Sequence, residues 1–445
     1  MSTSQSQVND PAPGDDPMRI PSLHRFLGLA KSALRQPGKK TFVVGNESVD
    51  LDTLTSSLLL SYLRSYPIGK TDRSQISGAI PGSHPLTIPL IPLPRADLRL
   101  RPEFIPVLQS AGAEVDDLIT LDDLEAPVSY GRAEAQEPPD LILVDHNAPT
   151  GAVKALNGKV IGCIDHHVDE GVVSNDAEPR IVEMAGNCGS LVLDWAVKSG
   201  LWEEDQARLT SGEDAWTVAG LAKMAMASIL VDTTNLKAKE KVKEVDEWAV
   251  GYLESVIQAV ETRGVRLGEA DSERYGRDRW HKLVNGIKKE LKGLSAEEML
   301  RKDYKEWEEK DGKVGIASVV KPLAEIIDRA SPQTRDERGM EALAHISEAF
   351  AKTRGLDLFV VMTTFKDTHK QFRRELMLMA ISERMQSLLG GFQEKSEELQ
   401  LEAWQADERM TAAVRHMGMK VWMQGNTSWS RKQVAPFIRG LLKDA

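Results

Sequence analysis

Val160-Ile161-Gly162-Cys163-Ile164-Asp165-His166-His167 sets an Asp-His-His run at the tip of an apolar stretch. A short apolar run bounded by turn signals reads as a buried strand. Such a strand presents one carboxylate and two imidazoles at its carboxyl end, where open α/β sheets bind ligands. Three more apolar runs end alike: Thr41-Phe42-Val43-Val44-Gly45-Asn46, Leu141-Ile142-Leu143-Val144-Asp145-His146-Asn147 and Ser228-Ile229-Leu230-Val231-Asp232. Four strand ends tipped with Asp, His or Asn describe one polar site assembled from distant parts of the chain.

Between these runs the pattern is helical. A helix is expected over 53–66, a strand over 86–92, strands near 140–145 and 159–164, and a helix that starts at Gly189-Ser190. Another helix over 214–228 leads into a strand at Ile229–Asp232. Strands alternating with helices predict a doubly wound parallel sheet. Residues 237–263 read as one long charged helix, an interdomain connector. Beyond it come charged helical segments (282–310), strands at 313–320, 356–366 and 373–381, a hairpin turn over Lys366–Phe372, and a strand from Lys420. That order predicts a second domain of α+β type with a mixed sheet. The expected division is a disordered tail 1–22, a first domain 23–236, a helical linker 237–274 and a second domain 275–445, with the active site in the cleft between the domains.

With 445 residues, two domains are the natural division. The net charge of −11 argues against nucleic-acid binding but does not exclude an anionic substrate, because local fields decide that. Two cysteines, Cys163 and Cys188, make no disulfide framework and fit a reducing, cytoplasmic compartment. No uninterrupted apolar run approaches about 18 residues, so no membrane span is expected. Residues 23–36 are basic and amphipathic. A first helix of the fold is the plainer reading of them, a mitochondrial presequence the alternative.

Asn46-Glu47-Ser48-Val49-Asp50-Leu51-Asp52 places two carboxylates two residues apart in a turn before a helix. With Asp145, His166, His167 and Asp232, it would crowd several carboxylates and imidazoles into a small volume. Hard divalent cations offset that cost, and oxygen with some nitrogen suits Mg²⁺, Mn²⁺ or Co²⁺. A pair of such ions serves phosphoester and phosphoanhydride hydrolysis. Singly, each piece has a plainer meaning: Asp52 as a helix cap, His166-His167 as a hydrogen-bonded pair, Gly189-Ser190 as a capping turn rather than an anion site.

Together, Asn46-Glu47-Ser48-x-Asp50-x-Asp52, Asp145-His146-Asn147, Asp165-His166-His167 and Leu230-Val231-Asp232-Thr233 resemble the four ordered motifs of the DHH phosphoesterase superfamily. Ser430-Arg431-Lys432-Gln433-Val434-x-Pro436 resembles the signature of its DHHA2-type second domain, found in family II pyrophosphatases, prune proteins and fungal exopolyphosphatases. The resemblance runs from about residue 40 to 440. It implies two divalent cations held by Asp50, Asp52, Asp145, His166 and Asp232, with Asp145 bridging. It implies His167, Arg431 and Lys432 on phosphate, with His167 aiding the leaving group. His146 is expected to support the site and bind substrate phosphate, and Ser190 to offer a further contact to phosphate. Family II pyrophosphatases carry His where Asn46 stands. Asn46 is a weaker, neutral ligand, so the first metal subsite differs, and the Asn-Glu-Ser form is similar to fungal exopolyphosphatases and prune proteins. The implied activity is removal of the terminal phosphate of inorganic polyphosphate by a monomer. A pyrophosphatase, a prune-type nucleotide phosphodiesterase and a non-catalytic binding protein are the alternatives. Lys237, Lys239, Lys241, Lys243, Arg277, Arg279, Lys288, Lys289, Arg373 and Arg374 are candidates for a long anionic channel, most of them solvated surface.

Overall fold

The structure is a computed structural model that describes residues 20–68, 86–124, 137–203, 214–264, 273–310, 312–331, 337–404, 414 and 418–443. Residues 1–19 of the expected tail and 265–272 at the end of the expected linker lie outside the described residues. The tail ends before residue 22. Ile20 is buried, Tyr62 donates to the Pro21 carbonyl, and Ser22 caps the helix Leu23–Leu34.

The first sheet comprises β1 (Thr41–Val44), β2 (Thr87–Leu90), β3 (Asp140–Val144), β4 (Lys159–Asp165) and β5 (Arg180–Val182). Its order is β2-β1-β3-β4-β5 and every pairing is parallel. Side chains alternate between faces along a strand. Val43 joins the larger core and its neighbours Phe42 and Val44 the smaller one, so both faces are covered, as a doubly wound sheet requires. On the larger face lies helix Leu51–Ser65, buried from Leu51 to Leu63 and packed against helices Cys188–Lys198 and Ala215–Asp232. Each fully buried leucine there contributes about 2 kcal/mol.

The second sheet contains β6 (Tyr304–Glu309), β7 (Gly312–Val319), β8 (Leu358–Thr363), β11 (Glu375–Ala380), β12 (Leu401–Ala403) and β13 (Met419–Gln424). Strands β9 (Phe365–Lys366) and β10 (Phe372–Arg373) form a separate hairpin about the expected turn. The order is β12-β13-β11-β8-β7-β6, with β7 and β8 parallel and the other neighbours antiparallel. The expected mixed sheet is present.

Three local readings change. Ile229–Asp232 is not a strand: it is the last turn of helix Ala215–Asp232. Only Ser228 separates it from Ala225-Met226-Ala227 upstream, with no Gly or Pro to break the helix, and a short apolar run fits either state. By length and composition this helix could cross a membrane, but it is mostly buried inside the protein. The single helix expected over 237–263 begins only at Glu244 and ends at Glu261. Thr234, Asn235 and Leu236 all have positive φ, which breaks the helical path, so Lys237 to Lys243 lie in turns. Helix Glu244–Glu261 buries Leu253, Val256 and Ile257 in the first core, as do Trp280 and Val284 beyond it. Helix Glu244–Glu261 packs against helices Ala215–Asp232 and Cys188–Lys198 of that core. Finally, the helical reading of 282–310 fails at Tyr304–Glu309, which is edge strand β6. Its abundant charge suits an edge.

Candidate metal and phosphate site

The strand order changes direction between β1 and β3, the switch point where α/β sheets bind ligands. Asn46 follows β1 and Asp145 follows β3. Asp145 has a left-handed backbone, φ +59°. Its Oδ2 accepts from Asn46 Nδ2 at 2.6 Å and Thr53 Oγ1 at 2.7 Å, and its Oδ1 faces His166 Nε2 at 3.3 Å and His167 Nδ1 at 3.8 Å. Thr53 reaches it over Gly45, where any Cβ would stand 2.1 Å from Thr53 Cγ2. Asp50, rather than Asp52, caps helix Leu51–Ser65, its Oδ1 accepting from Thr53 N at 3.1 Å.

Asp52 stands in the first helical turn. Cys188 N (2.8 Å), Gly189 N (3.1 Å) and Ser56 Oγ (2.9 Å) all donate to its carboxylate. His166 Nδ1 lies 3.1 Å from the Ala185 carbonyl, which aims Nε2 at Asp145 and, at 3.8 Å, at Asp52. His167 Nδ1 lies 2.7 Å from Asp165 Oδ1, and Asn147 Nδ2 donates to Asp165 Oδ2. Asp232 ends its helix, where the macrodipole disfavours an anion. Asn187 Nδ2 at 2.9 Å and Lys288 Nζ at 3.8 Å offset that.

The second domain supplies cations: Lys305 on β6, and Arg431 and Lys432 at the start of helix Arg431–Lys443. Lys432 Nζ lies 3.3 Å from His166 Nε2, and Arg431 Nη1 donates to the Asp303 carbonyl at 2.5 Å. Burial pushes the Lys305 ammonium below its ordinary pKa, and Arg431 adds to this against the attraction of Asp145 and Asp50. Burial also lowers Arg431, opposed by Asp303 and Asp50.

Burial, then the charge of Asp145, raises the pKa of Asp50 and lifts Asp52 further still. Burial opposes ionisation of Asp145 too, but the His166 hydrogen bond and the field of His167 outweigh it and hold the carboxyl far below its usual range. His166 rises to about 9: burial works against its charge, and the Asp145 hydrogen bond overcomes that. Burial takes His167 down to about 4, despite Asp165. Divalent cations fit this donor set. Asp145, His166 and His167 offer donor atoms within 4.8 Å of one another, and a cation would relieve the carboxylate crowding that strains Asp50 and Asp52.

Metal uptake should therefore release protons. Near pH 7 the metal-free centre holds a proton on His166, and a cation bound there must displace it. Affinity rises with pH until His166 deprotonates near 9. Mn²⁺ calorimetry in buffers of different ionisation enthalpy counts the protons; a count of zero at pH 7 removes His166 from the ligand set.

Residues 40–211 match the N-terminal domain of the DHH family, and residues 284–441 match the DHHA2 domain. A putative exopolyphosphatase of Schizosaccharomyces pombe is 30% identical over 423 residues, which is 94% of this chain and 95% of that protein. The chain belongs to the DHH family. Human exopolyphosphatase PRUNE1 is 24% identical over 94% of this chain and 79% of its own length. A putative family II inorganic pyrophosphatase of Methanococcus jannaschii shares the fold, with TM-score 0.53 and 18% identity over 91% of this chain and 99% of that one.

Within this DHH chain several expected roles move. Ser190 does not face a phosphate: its hydroxyl donates to buried Asp246 at 2.7 Å. The helix N-terminus beside it does hold an anion, but that anion is the Asp52 carboxylate. Ser190→Ala should cost roughly 2 kcal/mol, the worth of a hydrogen bond to a charged group, with kcat unchanged. Urea unfolding beside an activity assay checks this; lost activity at full stability would return Ser190 to the substrate. Asn46 accepts from Ser48 N and Oγ (3.0 and 2.7 Å) while it donates to Asp145, so its amide is committed to holding Asp145. His146 hangs from the Val144 carbonyl by Nδ1, its Nε2 is without a hydrogen-bond partner, and it stands outside the close donor group.

The channel lysines 237, 239, 241 and 243 are exposed, and Arg277, Arg373 and Arg374 bond locally to Glu254, Asp367 and the Thr427 carbonyl. Lys288 instead enters the centre. Burial opposes its charge, but Asp232 and Asp50 raise its pKa. Sequence reading missed Lys305 and Asn187. Tyr304-Lys305-Glu306-Trp307 spaces its apolar residues three apart, so local pattern carried no strand signal for the first; the Asn-x-Gly cap before Ser190 was the signal for the second.

Proposed function

We propose that this DHH chain is a divalent-metal-dependent exopolyphosphatase, a hydrolase that removes the terminal phosphate of inorganic polyphosphate. The observation that carries the reading is the meeting of an acidic donor set with a cationic one across the cleft, with Lys432 Nζ 3.3 Å from His166 Nε2. Asp50, Asp52, Asp145, His166 and Asp232 would hold two ions, of Mg²⁺, Mn²⁺ or Co²⁺ type. When bound, these would lower the pKa of a water and neutralise charge on the attacked phosphate. Arg431, Lys432 and Lys305 bind the phosphate oxygens and stabilise the negative charge of a loose phosphoryl-transfer transition state. Asp165 occupies His167 Nδ1, so Nε2 is the atom through which that imidazole exchanges a proton with substrate. The names of the two exopolyphosphatase relatives support the polyphosphate reading over pyrophosphate. So does Asn46, which leaves the first subsite one free ligand short. Inorganic polyphosphate as partner, a monomeric state and a cytoplasmic location belong to the same proposal.

The test is phosphate release from long-chain polyphosphate, pyrophosphate and cyclic AMP, with Mg²⁺, Mn²⁺ or Co²⁺ and with chelator. Metal-dependent release from polyphosphate is expected. Preference for pyrophosphate or cyclic AMP would overturn the substrate, and release that survives chelator would overturn the metals.

A further inference from the structure

Arg101 lies outside every motif of the site, yet it is only 2% exposed and its guanidinium bonds backbone carbonyls beside the centre. Nε donates to the Val49 carbonyl at 2.9 Å and Nη2 to the Ser48 carbonyl. These carbonyls belong to the turn that delivers Asp50 to its helix cap. Val49 is held there at φ +41°, a left-handed backbone that a β-branched residue strongly resists. Such a conformation persists only when its surroundings over-determine it. Arg101 supplies that constraint from a different segment of the chain.

The same guanidinium reaches the second domain. Arg101 Nη2 stands 3.9 Å from Asp303 Oδ1, and the Asp303 carbonyl accepts from Arg431 Nη1. Beside this link, Lys302 Nζ bonds the Leu100 carbonyl and pairs with Glu103 at 3.3 Å, both partners buried. One side chain of the first domain thus grips the turn carrying Asp50 and, through Asp303, the arginine that faces substrate.

We propose that Arg101 is a positioning residue that holds the Ser48–Val49 turn in its strained form and couples the placing of Asp50 to the seating of Arg431. The proposal rests on the metal-centre part of the reading above, not on polyphosphate as substrate. Arginine is required because its planar fork serves two carbonyls and a carboxylate at once, which an ammonium on a flexible stem does not.

The experiment uses the full-length protein with Arg101→Lys, Arg431→Lys and both together. Mn²⁺ titration of the metal-free protein reads the first half. Methylenediphosphonate titration of the Mn²⁺-loaded protein reads the coupling. Neither probe is turned over, so a failure of polyphosphate hydrolysis leaves the test standing. Arg101→Lys should weaken Mn²⁺ binding by about 10- to 100-fold, the range for residues that orient ligands. In the double variant, loss of methylenediphosphonate affinity should be smaller than the product of the single losses. A folded Arg101→Lys whose Mn²⁺ affinity is within about twofold of the parent, with only its Tm lowered, overturns the positioning role. Strictly multiplicative losses overturn the coupling. Should Arg101→Lys fail to fold, Asp303→Asn tests the same link: weakened methylenediphosphonate binding supports it, and parental affinity overturns it.

Discussion

Asp145→Asn should reduce turnover by at least about 10³-fold in a chain that still folds, several kcal/mol of transition-state stabilisation. Asn keeps the shape and can still accept from Asn46 and Thr53, which hold Oδ2. What it removes is the charge that Oδ1 directs at His166 and His167. That charge holds His166 near 9 and lifts Asp50 and Asp52. Without it the ion pair with His166 is lost, but Asp50 and Asp52 ionise more easily, which offsets that loss and lets the metal-free chain fold. The donor set still loses its central carboxylate. Turnover at saturating Mn²⁺, with thermal melting as the control, checks the variant. Activity within about tenfold of the parent would remove Asp145 from the bridging position.

Lys305→Ala should lower kcat/KM by about 10²- to 10³-fold, the cost of deleting one preorganised group that meets developing charge. Lys305 faces Asp145 and Asp50 from the opposite domain and stands beside Arg431 and Lys432. Substrate phosphate would enter between these groups and offset the repulsion among the cations. The metal-free variant should be at least as stable as the parent at pH 7. A lysine whose folded pKa is lowered costs stability wherever it stays charged, and that cost disappears as pH rises through its unfolded value near 10.5. Steady-state kinetics on polyphosphate, with melting curves between pH 6 and 10, separate the two effects. A variant that keeps its kcat/KM would show that Arg431 and Lys432 suffice.

The first domain was legible because its signals are local. Apolar runs at 41–44, 140–144 and 159–165 are strands, each followed by the polar residues read at its tip. The second domain's strands near 358, 375 and 419 followed from the same patterning. The reading failed where a short segment satisfies two patterns. Ile229–Asp232 is apolar enough for either a buried strand or a buried helix, and its neighbours in space settled it as a helix. The charge of Tyr304–Glu309 suggested a helix face, but pairing with β7 made it an edge strand and brought Lys305 to the centre.

The sequence by itself determined the two-sheet architecture and the convergence of Asp145, His166 and His167, because strand tips in a parallel sheet must share one edge. Tertiary structure alone decided which polar groups are already committed. Ser190 belongs to Asp246, the helix N-terminus beside it to Asp52, and Asn46 to Asp145. It also decided that Lys288, Lys305 and Arg101 reach the centre. A hydrogen bond or an ion pair depends on ångström distances between residues remote in the chain, and local patterning carries no information about those distances.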